Sequence, residues 1–486
     1  MQPHNADEAI QASRPSRTCI ICGNPAGSGE HLFPAALGGR RTHNGIYCKD
    51  HNEGLSSFVA VMAEQLALLN GFLEVRHDRK KKAPQPPIIQ SADGSLYSIE
   101  GLRFAPQSPR VVSRTQVDVD REQVVLAVPE NLMGKYKAME TRGEIKILAQ
   151  SRPVSRLQDQ NIGFSLGLGG PKFLAAISYV SMTYFAKYHP EIARQKTVAL
   201  ESLKASLIDS AAKKEEEVVS LPHVWWESTE LLDTLPIPPF RFAHTIALST
   251  SKEKKHATAY ICLFGVFCFG IDFGEFPALS DHTTVVHLDP LSLYPPDDQV
   301  EHVQPGTALR IAPPIQSPTE NLRNLLSSGV AERQLSIFIE KTIDWHLERA
   351  AIELLERVRL APRNREATQR LLDGEEQRVF NMMKGFVKNF RDKYVPTIPA
   401  AFGAAFGDAL QLQIATQESM PDGLTQVAAA SLIAAKAVLT DKILTEHDLG
   451  NLTLEKAKML LAGGEGLAVV GRSMLAPILG EDFLDK

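Results

Sequence analysis

A chain of 486 residues is too long for one hydrophobic core, and 44% hydrophobic with 22% charged residues is ordinary globular usage, so both a single compact domain and wholesale disorder are excluded. The 52 Lys and Arg against 57 Asp and Glu leave a net charge of -5, so a polyanionic partner has to be met by a local basic patch. Five cysteines are too few for a dense disulfide framework, and three fall at ligand-like spacing near the N-terminus, which points to metal binding in a reducing compartment.

Residues 1–17 are polar and aperiodic and read as a mobile arm. They hold no apolar stretch that could serve as a signal-peptide core, which places the protein in the cytoplasm. Residues 18–75 form a small Cys/His-rich unit ending in a helix pattern, with Leu55, Phe58, Val59, Met62, Leu66 and Leu69 on one face. A basic and proline-rich linker follows over 76–87, because the three prolines Pro84, Pro86 and Pro87 forbid regular structure. Residues 88–316 carry strand-like runs at Val124–Val128, Thr245–Leu248 and Ala257–Ile271 and one strongly apolar helix at Pro171–Tyr188, the pattern of an α+β domain. Residues 317–486 are expected to be mostly helical, with charged segments at 332–359 and 363–394 and Ala/Gly-rich helices at 399–417 and 422–445. The apolar-leaning stretch Val427–Leu444 is interrupted by Lys436, Asp441 and Lys442, so no membrane association is expected.

Chemistry concentrates in the Cys/His-rich unit. Cys19 and Cys22 are separated by two residues, as are Cys48 and His51, and each pair can turn two ligands toward one ion on a tight knuckle. Together they complete a tetrahedral Cys3His site for structural Zn2+. The 25 residues between the pairs leave room for a two-stranded insert. A unit this short draws much of its stability from the metal, about 10 kcal/mol or more in comparable peptides. Inside the insert stand Glu30-His31-Leu32-Phe33-Pro34 and Gly38-Gly39, and Asn52 directly follows the second knuckle. Adjacent strand side chains point to opposite faces, so Glu30 and His31 cannot serve one function together.

This segment resembles the HNH endonucleases, in the zinc-knuckle variant of the ββα-metal (His-Me finger) nuclease, the HNH endonuclease 5-like group. The resemblance covers about an eighth of the chain, residues 18–75. It implies a fold with an N-terminal zinc-stapled ββα-metal domain, and a phosphodiester hydrolase acting on nucleic acid, DNA by resemblance. It also implies that His31 is the general base and that Glu30 and Asn52 ligate one catalytic Mg2+ or Mn2+ ion. The middle motif residue matches Asn44, with His43 as the competing assignment. A neutral imidazole, with an ordinary pKa of about 6.5, is available as a base at cellular pH. One such site cuts one strand, so a double-strand break requires a homodimer or repeated nicking. The biological settings that fit are phage or mobile-element biology and defence against foreign DNA.

Arg76, Arg79, Lys80, Lys81 and Lys82 form the dense basic cluster after the motif and are the candidate nucleic-acid contacts. Residues 1–82 hold ten Lys and Arg against eight Asp and Glu, so this end is net +2 and the remainder -7. The competing function is a non-catalytic zinc module that binds nucleic acid or a protein. Elsewhere structural readings prevail: Trp225-Trp226, His244, His282 and His287 read as core, Cys262 and Cys268 as buried small hydrophobes on one face, and Gly463-Gly464-Glu465-Gly466 lacks the Lys-Ser/Thr end of a phosphate loop.

Overall fold

The computed structural model describes residues 18–76, 87–90, 96–107, 110–118, 121–127, 130–146, 167–218, 221, 223–227, 229–293, 298–309, 311, 318–361, 364–375, 378–379, 381–383, 422–462 and 464–471. The expected N-terminal arm, the linker between Arg76 and Pro87 and the helix at 399–417 lie outside these residues. The chain divides into two compact units: Met1–Ile89, Ser98–Phe104 and Ser165–Lys341 form the first, and Gln90–Tyr97, Ala105–Phe164 and Thr342–Lys486 the second.

The first unit is organised around the helix Pro171–Tyr188. Proline is suited to a first helical turn, where its missing N–H costs nothing, and the residues after it are mostly apolar on every face, with Lys172, Ser178, Ser181 and Thr183 among them. Such a helix has to be buried on every side, and Lys172 to Ala186 are all buried here. On one side Phe173 and Phe185 meet Phe269 and Phe273, with ring centroids 5.8 and 4.3 Å apart. On another, Tyr179 meets Tyr47 and Phe58 of the N-terminal segment, at 5.9 and 5.8 Å.

The sheet beside this helix has six antiparallel strands in the order Gln299–Pro305, His282–Leu288, His244–Ser251, His256–Leu263, Phe267–Glu275 and Val224–Glu227. The run Ala257–Ile271, which reads as one long strand, is instead a hairpin. Phe264 and Gly265 take φ of +55° and +67°, and the Val266 N–H donates to the Leu263 carbonyl at 3.0 Å. Two successive left-handed residues make a turn whose twist matches antiparallel strands. Burial of Phe264 in the core holds a bulky side chain in a conformation usually left to glycine. Trp225 and Trp226 are buried, and the Trp225 indole N–H donates to Glu227 Oε2 at 2.9 Å.

His244 joins this sheet to the N-terminal segment. Its Nδ1 lies 3.2 Å from the Phe264 N–H and accepts from it, so Nε2 carries the proton toward the Leu37 carbonyl, also at 3.2 Å. Burial lowers its pKa from 6.5 to about 3, so the folded protein holds it neutral. The unfolded chain takes up this proton near 6.5, and the folded one only near 3. The stability contributed by neutral His244 is therefore complete above that upper value and lost as pH falls through the window, at about 1.4 kcal/mol per pH unit. Urea unfolding between pH 6 and 4 should show a slope in His244→Gln that is shallower than in wild type by about this amount, the remainder including His189 and His287, which burial also lowers to about 4.

In the second unit, helices Arg365–Gly374, Asp422–Asp448 and Leu454–Ala462 share one apolar cluster. Leu371, Leu372, Leu439, Ile443, Leu460 and Leu461 meet Ala351, Leu354 and Val358 of the helix Val330–Leu360 there. The unit also holds the hairpin Arg110–Asp118 and Arg121–Ala127, which takes in most of the expected strand at Val124–Val128. No single helix among the described residues is long and apolar enough to cross a membrane.

Candidate metal centre and the strand beside it

Two knuckles built from different local rules converge. In the first, the Gly23 N–H returns to the Cys19 carbonyl at 2.9 Å and the Cys19 N–H donates to Asn24 O at 2.7 Å, which turns Cys19 and Cys22 toward one point. In the second, Cys48 is the extended N-cap of the helix Lys49–Gly54, and its carbonyl accepts the Asn52 N–H at 3.0 Å. His51 lies in the first turn of that helix. The knuckles are held side by side by Ile20 N–H donating to Ile46 O at 3.0 Å.

The four expected ligands meet. The donor atoms of Cys19, Cys22, Cys48 and His51 all lie within 4.8 Å of one another. Cys22 Sγ is 3.9 Å from Cys48 Sγ, and His51 Nδ1 is 3.7 Å from Cys19 Sγ and 3.1 Å from Cys48 Sγ. Two thiolates at zinc–sulfur distances of about 2.3 Å in a tetrahedron are about 3.8 Å apart, so the group can hold a structural ion such as zinc. Burial works against ionising Cys19, but backbone hydrogen bonds at Cys22, Cys48 and Ile21 outweigh it and hold the thiol below its ordinary value. That favours the thiolate a metal needs.

Between the knuckles runs a short antiparallel pair, Glu30–His31 with Thr42–His43, in which Glu30 faces His43 and His31 faces Thr42. With the helix after Cys48 this makes the expected ββα order. The connection is tight. Pro34 O accepts the N–H groups of Leu37 and Gly39 at 2.9 and 3.1 Å, and a Cβ on Gly39 would lie 1.9 Å from the Phe33 carbonyl oxygen. The Gly38-Gly39 pair therefore answers a backbone demand. Gly39→Ala should destabilise the protein by about 3 kcal/mol, read from its denaturant midpoint. Arg41 then anchors the returning strand, its Nε and Nη2 donating to the buried Asp298 carboxylate at 3.2 and 3.0 Å.

The candidate catalytic residues surround this strand. Glu30 faces the core: it is 7% exposed and its carboxylate accepts a hydrogen bond from the Tyr179 hydroxyl of the central helix. His31, the next residue, is half-buried, and strand alternation puts it on the opposite face. Asn52 is inside its helix, and its amide donates to Ser28 Oγ at 2.6 Å and to Gly29 O at 3.5 Å, directly ahead of Glu30. The exposed Asn44 reaches the same segment, its Oδ1 lying 3.1 Å from where a Cβ on Gly29 would stand. His43 Nδ1 accepts the Gly45 N–H at 3.0 Å, a turn contact of its own.

Among the basic candidates, Arg76 is exposed and its carbonyl accepts from Arg40 Nη2 at 2.5 Å. Arg79, Lys80, Lys81 and Lys82 lie outside the described residues. Two anchors escaped the sequence reading. Tyr179 holds Glu30 across 149 positions and Asp298 holds Arg41 across 257, separations at which no local spacing carries a signal. Comparisons with family models, with curated proteins and with solved structures return no match.

Proposed function

We propose that this chain is a metal-dependent endonuclease of the HNH type that hydrolyses DNA phosphodiester bonds, with a zinc ion as its structural clamp. One observation carries the reading: the Cys3His group fixes the helix bearing Asn52, and Asn52 in turn ties that helix to the strand bearing Glu30 and His31. His31 accepts a proton from water as the oxygen attacks phosphorus and the bond to the 3′-oxygen breaks. Glu30 and Asn52 would hold Mg2+ or Mn2+, which supplies charge stabilisation for the transition state and the leaving oxygen. Asn44 orients the loop between strand and helix. The basic run Arg76, Arg79 and Lys80 to Lys82 neutralises backbone phosphates, so affinity falls steeply with salt. Thiolate ligation of zinc suits the reducing cytoplasm, and the fitting roles are in phage or mobile-element biology or in defence.

A second reading, a non-catalytic zinc module that binds nucleic acid or protein, is favoured by the burial of Glu30 and its engagement by Tyr179, which turn this carboxylate away from solvent. Incubation of the zinc-loaded chain with supercoiled plasmid separates the two. Nicking that requires added Mg2+ or Mn2+ supports the nuclease. Retarded mobility of uncut plasmid by protein that holds its zinc supports the binding module.

A further inference from the structure

The cysteines fall into two kinds by geometry. Cys22 and Cys48 keep the 3.9 Å separation of two thiolates around one ion, whereas Cys262 Sγ and Cys268 Sγ are 2.9 Å apart. Two metal–sulfur bonds of about 2.3 Å spanning that gap would close the angle at the ion to about 78°, far from tetrahedral. A shared metal is therefore the wrong occupant for the second pair.

The two thiols are free and in direct contact, which places them for a covalent bond. Cys262 and Cys268 are register partners on the two strands of the hairpin that turns at Phe264 and Gly265. Directly opposed antiparallel residues have Cα atoms about 4.5–5.5 Å apart. That lies inside the range of about 4.4–6.8 Å that a disulfide spans. Both side chains point to the same face, into a cluster with Trp225, Tyr260 and Val285.

We propose that Cys262 and Cys268 are a modification site, oxidised reversibly to a cross-strand disulfide by a low-molecular-weight disulfide of the glutathione class. One cysteine, as thiolate, attacks the oxidant and expels one thiolate, leaving a mixed disulfide. The other cysteine then attacks the protein sulfur and expels the second thiolate. The pair loses two protons and two electrons, and the oxidant becomes two thiols. Both sulfurs are buried in the closed hairpin, so oxidation and reduction alike pass through its opening. Oxidation closes a covalent ring over the turn and locks the hairpin against which Phe338 packs, at 5.6 Å from Phe264 and 6.2 Å from Phe267.

The test uses the full chain with its metal bound, equilibrated in glutathione buffers of increasing oxidised fraction, quenched in acid, denatured, alkylated and digested for mass spectrometry. The expected result is a peptide carrying both cysteines without alkyl groups and lighter by about 2 Da than the reduced form, reverting with dithiothreitol. Cys262→Ala should abolish that species. To meet slow exchange through a closed core, the same measurement is made on protein produced in a host with an oxidising cytoplasm. Two alkylated cysteines under both conditions would overturn the proposal, as would glutathione retained on a single cysteine.

Discussion

Cys48→Ala is expected to take the metal content from one ion per chain to none and to open the segment around residues 18–54, while the six-stranded sheet persists. Cys48 supplies a ligand from the N-cap position of the helix that presents His51 and Asn52, where its side chain makes no capping hydrogen bond, so the substitution removes the ligand alone. Loss of one thiolate from a four-ligand site leaves three donors, with the two knuckles joined by a few hydrogen bonds such as Ile20 N–H to Ile46 O and those of Arg194 to Thr18 O and Gly45 O. The Cys19–Cys22 knuckle is a turn held by few backbone bonds. Metal binding of about 10 kcal/mol or more dwarfs what such a turn retains alone. The sheet has its own core, Ile246, Ala259, Ile261, Phe269 and Val286 among it, so the loss stays local. Elemental analysis of the purified variant reads the metal, and limited proteolysis reads the opening, with cleavage confined to the N-terminal segment. Acidification should do the same to wild type, because protons compete for the thiolates and for His51 and affinity falls as pH falls. A Cys48→Ala chain that retained a full equivalent of zinc would remove the Cys3His assignment.

What was legible in the sequence, and what was not, divides by range. The knuckles, the ββα order and the helix Pro171–Tyr188 rest on rules that act over a few residues: ligand pairs, a proline at a first turn, an apolar run. The helix after Cys48 was legible as a face but not as a shape. Leu55, Phe58, Met62, Leu66 and Leu69 are buried as expected and Val59 is half-buried, yet the chain breaks into Lys49–Gly54, Ser56–Gln65 and Ala67–Phe72, with a bend of 60° at Leu66. Periodicity reports which residues face a core, not whether that core is flat. The hairpin at Phe264 was hidden for a related reason. A left-handed pair without Asn or Asp offers little turn signal, and continuous burial on both strands erases the alternation that would have marked them. Glu30 shows the deepest limit. Its neighbourhood is set by Tyr179, and nothing within reach of the motif announces that a carboxylate would be clasped by a tyrosine from the central helix.

His31→Ala should lower metal-dependent plasmid nicking by about 10²- to 10⁴-fold, the range a positioned general base contributes, while zinc content and fold stay unchanged. The expectation that structure survives comes from placement. His31 is half-buried on a two-residue strand that its neighbours help to fix: Leu32 N–H to Arg41 O at 2.9 Å, Glu30 to Tyr179, and Arg41 to Asp298. Truncating the imidazole therefore removes a proton acceptor while these three contacts remain. Tyr179→Phe makes the complementary cut. It leaves His31 in place and frees Glu30 from its hydroxyl donor, so its effect should fall on the Mn2+ concentration needed for half-maximal nicking rather than on the limiting rate. A His31→Ala protein that nicks plasmid at the wild-type rate with one zinc bound would move the chemistry elsewhere in the chain. One that is inactive because its zinc has gone would report only the fold, which is why the metal is counted in the same preparation. With the metal retained, loss of the rate assigns the base, and an unchanged rate in the presence of tight plasmid binding leaves the zinc module as an interaction surface.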